Sequence, residues 1–92
     1  MAGTIQVELE GGEPNQGNWY EVRALLVREG KEELRSSTWI GPWNRRDEMR
    51  SLAPGHYKLV CTRQGGAGGP EPAVQEVELH EGETLEVRFQ AR

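Results

Sequence analysis

The chain reads as a small all-β domain, an antiparallel sandwich of Ig-like type with six or seven short strands. Three observations point there. Apolar residues recur at every second position in stretch after stretch, glycines and prolines punctuate those stretches, and no segment sustains the period of an amphipathic helix.

The first strand is the plainest. Thr4 to Glu10 alternates strictly, placing Ile5, Val7 and Leu9 on one face and glutamates in water. Gly11 to Asn18 then supplies glycines and Pro14, which breaks a strand ladder. From Trp19 to Arg28 one face is wholly apolar, with Tyr20, Val22, Ala24 and Leu26, while the opposite face mixes Trp19, Glu21, Arg23, Leu25 and Val27. Arg28-Glu29-Gly30-Lys31 suits a hairpin turn, and the return strand from Glu32 to Trp39 is expected to carry Leu34, Ser36 and Thr38 inward.

Trp39 to Trp43 cannot continue as a regular central strand, because Pro42 has no amide proton and Gly41 no side chain to pack. Asn44 to Ser51 fits either a short helical turn capped by Asn44 or an irregular edge strand. Ala53-Pro54-Gly55 turns the chain, with a left-handed glycine expected, into His56–Arg63, where Tyr57, Leu59 and Cys61 share a face. Gln64 to Pro72 is a glycine-rich loop with few side chains to pack. Ala73–Leu79 follows with Val77 and Leu79 inward, and either Val74 or Gln75 beside them. His80-Glu81-Gly82-Glu83 turns the chain again, and Leu85, Val87 and Phe89 alternate with Glu86 and Arg88 in the last strand.

Size limits what such a domain can do. The 92 residues fit one domain, residues 1–92, with one modest core. At about 0.05–0.15 kcal/mol per residue its stability leaves little surplus for carving a large pocket. The net charge of −4 is mild, and the 11 basic residues are scattered among 15 acidic ones, so nucleic acid is not an expected partner. Asp47 is the only aspartate, a poor supply of the short oxygen ligands that calcium loops use. No run approaches the roughly 18–20 apolar residues of a membrane span. Met1 leads into strand-like alternation without a basic and apolar leader, so the expectation is a cytoplasmic protein or a module of a longer exported chain.

Two stretches resemble a known group of domains. Leu52-Ala53-Pro54-Gly55-His56-Tyr57-Lys58-Leu59, and after a glycine-rich loop Val77-Glu78-Leu79-His80-Glu81-Gly82-Glu83, resemble the turn-and-strand and closing hairpin of carboxypeptidase-regulatory-like, PEGA and Cna-B-type domains. Gly3-Thr4-Ile5-Gln6-Val7 is similar to their first strand, whereas Trp19 to Met49 has no counterpart. The resemblance implies a prealbumin-like seven-stranded sandwich serving as a spacer, stalk or accessory binding module. The isopeptide cross-link of Cna-B-type domains requires a lysine on an early strand facing Asn or Asp on a late one. Here the lysines are Lys31 and Lys58, and no Asn or Asp lies beyond Asp47, so that bond is not expected. The transthyretin-like hydrolases carry a Tyr-Arg-Gly-Ser tail, whereas this chain ends Phe89-Gln90-Ala91-Arg92, so their activity is not expected either.

Catalytic material is sparse, and no catalytic residue, metal ligand set or cofactor site is expected. Cys61, the single cysteine, reads as a small core hydrophobe. His56 lies five positions away and so on the opposite strand face, roughly 16–17 Å distant at about 3.3 Å per residue. His56 and His80 read as exposed turn residues. The glycines between Gln64 and Gly69 lack the lysine and following helix of a phosphate cradle. The candidate binding residues are Trp39, Trp43 and Trp19. They either pack in or at the edge of the core, or present flat apolar faces to a partner. A non-catalytic interaction or spacer module is the reading that follows, with a protein partner or self-association first, and carbohydrate binding through exposed tryptophans as the alternative.

Overall fold

The computed structural model describes residues 2–10, 19–41, 44–64 and 73–90. It is an all-β sandwich of seven strands in two sheets, not closed into a barrel. Strands β1 (Gly3–Glu10), β4 (Arg46–Leu52) and β7 (Thr84–Gln90) form one sheet in the order β4-β1-β7. Strands β2 (Trp19–Arg28), β3 (Lys31–Ile40), β5 (Gly55–Gln64) and β6 (Ala73–Leu79) form the other, in the order β3-β2-β5-β6. All pairings are antiparallel except β1 with β7, which runs parallel from Thr4 opposite Thr84 to Glu10 opposite Gln90.

The alternation in sequence becomes the core. Ile5, Val7 and Leu9 of β1 and Val87 and Phe89 of β7 face Tyr20, Val22, Ala24 and Leu26 of β2 and Tyr57, Leu59 and Cys61 of β5, all buried. Each large side chain removed from water this way contributes roughly 1.5–3 kcal/mol. Side-chain hydrogen bonds link the sheets at both open edges. On one side the Thr38 hydroxyl of β3 donates to the Asp47 carboxylate of β4. On the other the Gln75 amide of β6 donates to the Arg88 carbonyl of β7 at 2.6 Å.

The return strand departs from strict alternation. Ala24 pairs with Ser36 but Leu25 pairs with Leu34, so Arg35 is an extra residue and β3 carries a bulge. That slip inverts the face of everything N-terminal to it. Thr38 is buried and Ser36 half-buried as expected, whereas Leu34 points outward and is 56% exposed.

Three further expectations are corrected or decided. Asn44–Ser51 yields an edge strand and no helical turn: β4 pairs with β1, and an extra residue near Ser51, at φ 59°, bulges it. The closing segment is not a hairpin, because β6 and β7 belong to different sheets. The turn at His80–Glu83, closed by the Glu83 amide donating to the His80 carbonyl at 3.1 Å, carries the chain across the sandwich instead. In β6 it is Gln75, not Val74, that turns inward. The Pro54-Gly55 turn has the expected glycine at positive φ, 154°, a backbone conformation that other residues rarely adopt. The expected loop at 11–18 lies outside the described residues, as does the one expected from Gln64 to Pro72 except for Gln64 itself, which ends β5.

Tyr57 explains the Pro-Gly-His-Tyr stretch physically. Its ring is fully buried and its hydroxyl donates to the Ala53 carbonyl at 2.6 Å, tying the strand back onto the turn that launches it. Losing that bond in Tyr57→Phe should destabilise the fold by about 0.5–1.5 kcal/mol in urea unfolding. The hairpin at Glu29-Gly30 has both residues at positive φ, 50° and 75°, the backbone of a type I′ turn. Glutamate fits the first position poorly, so Glu29→Gly should raise stability by roughly 0.5–1 kcal/mol in the same assay.

Candidate interaction surface

The two outer faces of the sandwich differ in character. On the β4-β1-β7 sheet, β1 and β7 alternate outward through polar residues that pair with one another. Glu8 lies 3.5 Å from Arg46 and 3.7 Å from Arg88, Glu10 lies 3.3 Å from Arg88, and Gln6 donates to Glu48 at 2.8 Å. Arg50 in turn holds Glu48 at 2.7 Å, and with Gln6 it keeps that carboxyl below the ordinary range. Such mutually satisfied, exposed charges favour water over a partner. A shallow depression among Gln6, Glu8, Arg46, Glu86, Val87 and Arg88 has a volume of about 10 Å³, the scale of one water molecule.

Among the described residues, the outer face of the β3-β2-β5-β6 sheet holds the large exposed apolar side chains: Trp19 (37%), Leu34 (56%), Trp39 (46%) and Val74 (50%). Strand register shows how they connect. Leu34 pairs with Leu25, Leu25 is diagonal to Val60, and Val60 pairs with Val74, so an apolar band crosses all four strands. Val27 lies next along β2 on the same face. The bulge at Arg35 creates the β3 end of this band by turning Leu34 out.

Ion pairs flank the band. Arg23 holds Glu21 at 3.0 Å on its tryptophan side. Opposite, Lys58 of β5 reaches Glu32 of β3 at 3.0 Å, spanning the intervening β2, and His56 lies 3.2 Å from Glu76. His56 is thus a half-exposed strand residue, whereas His80 follows β6 and is exposed.

Trp19 and Trp39 share this face at diagonal positions, because Trp39 pairs with Glu21 and Trp19 precedes Glu21 by two residues. Glu21, between them in the register, keeps only 15% of its side chain exposed. Gly41 lies under Trp19: a Cβ there would meet the indole at 2.5 Å, so only glycine lets the ring settle onto the end of β3. Trp43, the third tryptophan candidate, lies outside the described residues. The sequence reading missed Leu34, Leu25, Val60 and Val74 as surface residues of interest. The mixed outer face of β2 was the available signal for Leu25, but Leu34 required the bulge and Val74 the register of β6.

Among the described residues no three of His, Cys, Asp and Glu gather as metal ligands would. Cys61 points into the core and His56 outward from the same strand, so they do not meet. Neither a protein-family model nor a curated protein matches this chain.

Burial pushes the Cys61 thiol from 9.0 up to about 11 and raises the Tyr57 phenol in the same direction. With folded-state values above unfolded ones, the folded protein holds these protons longer. Stability in urea should therefore be constant below pH 9 with respect to Cys61, then fall as pH climbs toward 11, and Cys61→Ala should flatten the decline. Consistently, native Cys61 should react with thiol reagents far more slowly than the unfolded chain.

Proposed function

We propose that this domain is a non-catalytic protein-interaction module whose docking face is the outer surface of the β3-β2-β5-β6 sheet. One observation carries the reading: the apolar band Leu34–Leu25–Val60–Val74 lies across one outer face, flanked by ion pairs, while the charges of the other face are paired among themselves. An apolar centre inside a polar rim is the usual anatomy of a protein interface. The exposed tryptophans enlarge it, since aromatic side chains bring much contact area at low entropic cost. We assign the fold, within the sandwiches, to the prealbumin-like type of the carboxypeptidase-regulatory-like and related domains. Support comes from the seven strands in two sheets and the buried tyrosine fastened to the Pro-Gly turn. In that group such modules are spacers and accessory binders, which agrees with the reading.

Carbohydrate binding is the second reading, favoured by the two indoles at diagonal positions on a sheet face. One set of variants separates the two. Leu34→Lys with Val74→Lys should leave stability within about 0.5 kcal/mol of the parent, because both side chains are exposed. The double variant should abolish association, whether self-association, measured as a concentration-dependent sedimentation coefficient, or the binding of a purified partner, and Trp39→Ala should only weaken it. Association untouched by the double lysine variant would sink the protein-interface reading. A tryptophan fluorescence change on adding polysaccharide, lost in Trp39→Ala and retained in the double variant, would establish the carbohydrate reading in its place.

A further inference from the structure

Among the described residues, a two-sheet sandwich that does not close leaves four strand edges without a neighbouring strand, each a row of backbone groups able to pair with another chain. Three of them carry an obstruction. β3 is bulged at Arg35 and β4 near Ser51, and these two face each other through the Thr38–Asp47 hydrogen bond. On β7, the Arg88 carbonyl is already taken by Gln75. The fourth edge, β6, pairs with β5 in unbroken register from Gly55 opposite Leu79 to Cys61 opposite Ala73. Its seven residues contain no proline and no positive φ.

This edge has two chemically different sides. Outward it presents Val74, Glu76 and Glu78, all exposed, with Glu76 keeping 63% of its side chain in water. Inward, the core is incompletely covered here. The partly buried hydrophobic residues packed against the core are Ala73 and Val77 of β6 and Leu85 of β7. The opposite, bulged edge has no equivalent among the described residues.

We infer that the free edge of β6 is a strand-docking edge selective for an extended basic segment that alternates apolar and basic side chains. An added strand would extend the sheet by main-chain pairing. Its apolar side chains would fall on the inner face, over Ala73, Val77 and Leu85, and complete the core. Its basic side chains would fall beside Glu76 and Glu78. The same glutamates exclude a second copy of this chain: in-register antiparallel pairing of β6 with itself sets Glu76 against Glu76 or Glu78, and like charges directly opposite repel. The edge is thus protected from self-pairing by charge alone, a protection that a basic segment does not meet. It shares Val74 with the apolar band but engages the backbone and inner face of β6, which the band does not use, so its failure would leave the band's role intact.

The test uses the full chain labelled with nitrogen-15 and three end-blocked seven-residue peptides: alternating valine and lysine, alternating valine and glutamate, and the valine–lysine peptide with a central proline. The valine–lysine peptide should give saturable amide shifts confined to β6, β7 and the neighbouring β5. It should bind at least tenfold more tightly than the glutamate peptide, and the proline should abolish binding. Glu76→Lys with Glu78→Lys should reverse the preference between the two charged peptides while leaving the unfolding transition in place. Equal binding of the proline peptide would show simple charge attraction and overturn the proposal. So would shifts centred on Trp19 and Trp39, no saturable shift at millimolar peptide, or intermolecular contacts between the β6 strands of two unmodified chains in isotope-filtered NMR.

Discussion

β1 is the strand on which the smaller sheet depends. β4 and β7 pair with β1 and not with each other, so the three-stranded sheet exists only through its two edges. Its inward side chains, Ile5, Val7 and Leu9, are buried against the other sheet. A shift of one residue would turn all three into water and bring the outward row of Thr4, Gln6, Glu8 and Glu10 into the core. The register of β1 is therefore set by burial on one face and by two sets of ladder hydrogen bonds at once. Its parallel pairing with β7 also joins the start of the described chain to its end, a contact of high sequence separation whose loop entropy must be met before it stabilises anything.

From that arrangement follows the asymmetry of the two outer faces. Alternation on β1 and β7 leaves their outward positions to Glu8, Glu10, Glu86, Arg88 and Gln90, which neutralise one another or meet water. In the larger sheet, β2 places Leu25 and Val27 outward, and the β3 bulge adds Leu34 beside Leu25. One extra residue, Arg35, thus converts what would be a core leucine into the end of an exposed apolar band. A bulge usually protects an edge, and here it also shapes a face.

Much of the fold was legible in the residues themselves. The inward sets of β1, β2, β5 and β7 follow from period-two alternation, because a sheet buried on one face can satisfy that pattern in one phase only. The hairpin at Glu29-Gly30 and the turn at His80–Glu83 were marked by glycine beside polar residues. The candidate surface was legible only in part. Trp19 and Trp39 stood out as aromatic residues on a strand's mixed face or next to an irregular segment, and both are partly exposed. Leu34 and Val74 did not stand out, since an apolar residue in an alternating strand looks the same whether it points in or out.

Local sequence determined which segments are strands, β4 excepted, which faces of β1, β2, β5 and β7 are apolar, and that Cys61 and Tyr57 belong inside, for these depend on neighbouring residues and burial alone. Tertiary structure decided which strands are partners. That the last strand runs parallel to the first, that β6 and β7 separate into different sheets, and that residues 46–52 extend as an edge all rest on pairings between distant segments. Nothing within a strand encodes the identity of its neighbour. The bulge at Arg35 belongs with these, because the phase of β3 is set by what β2 places opposite it and not by its own pattern.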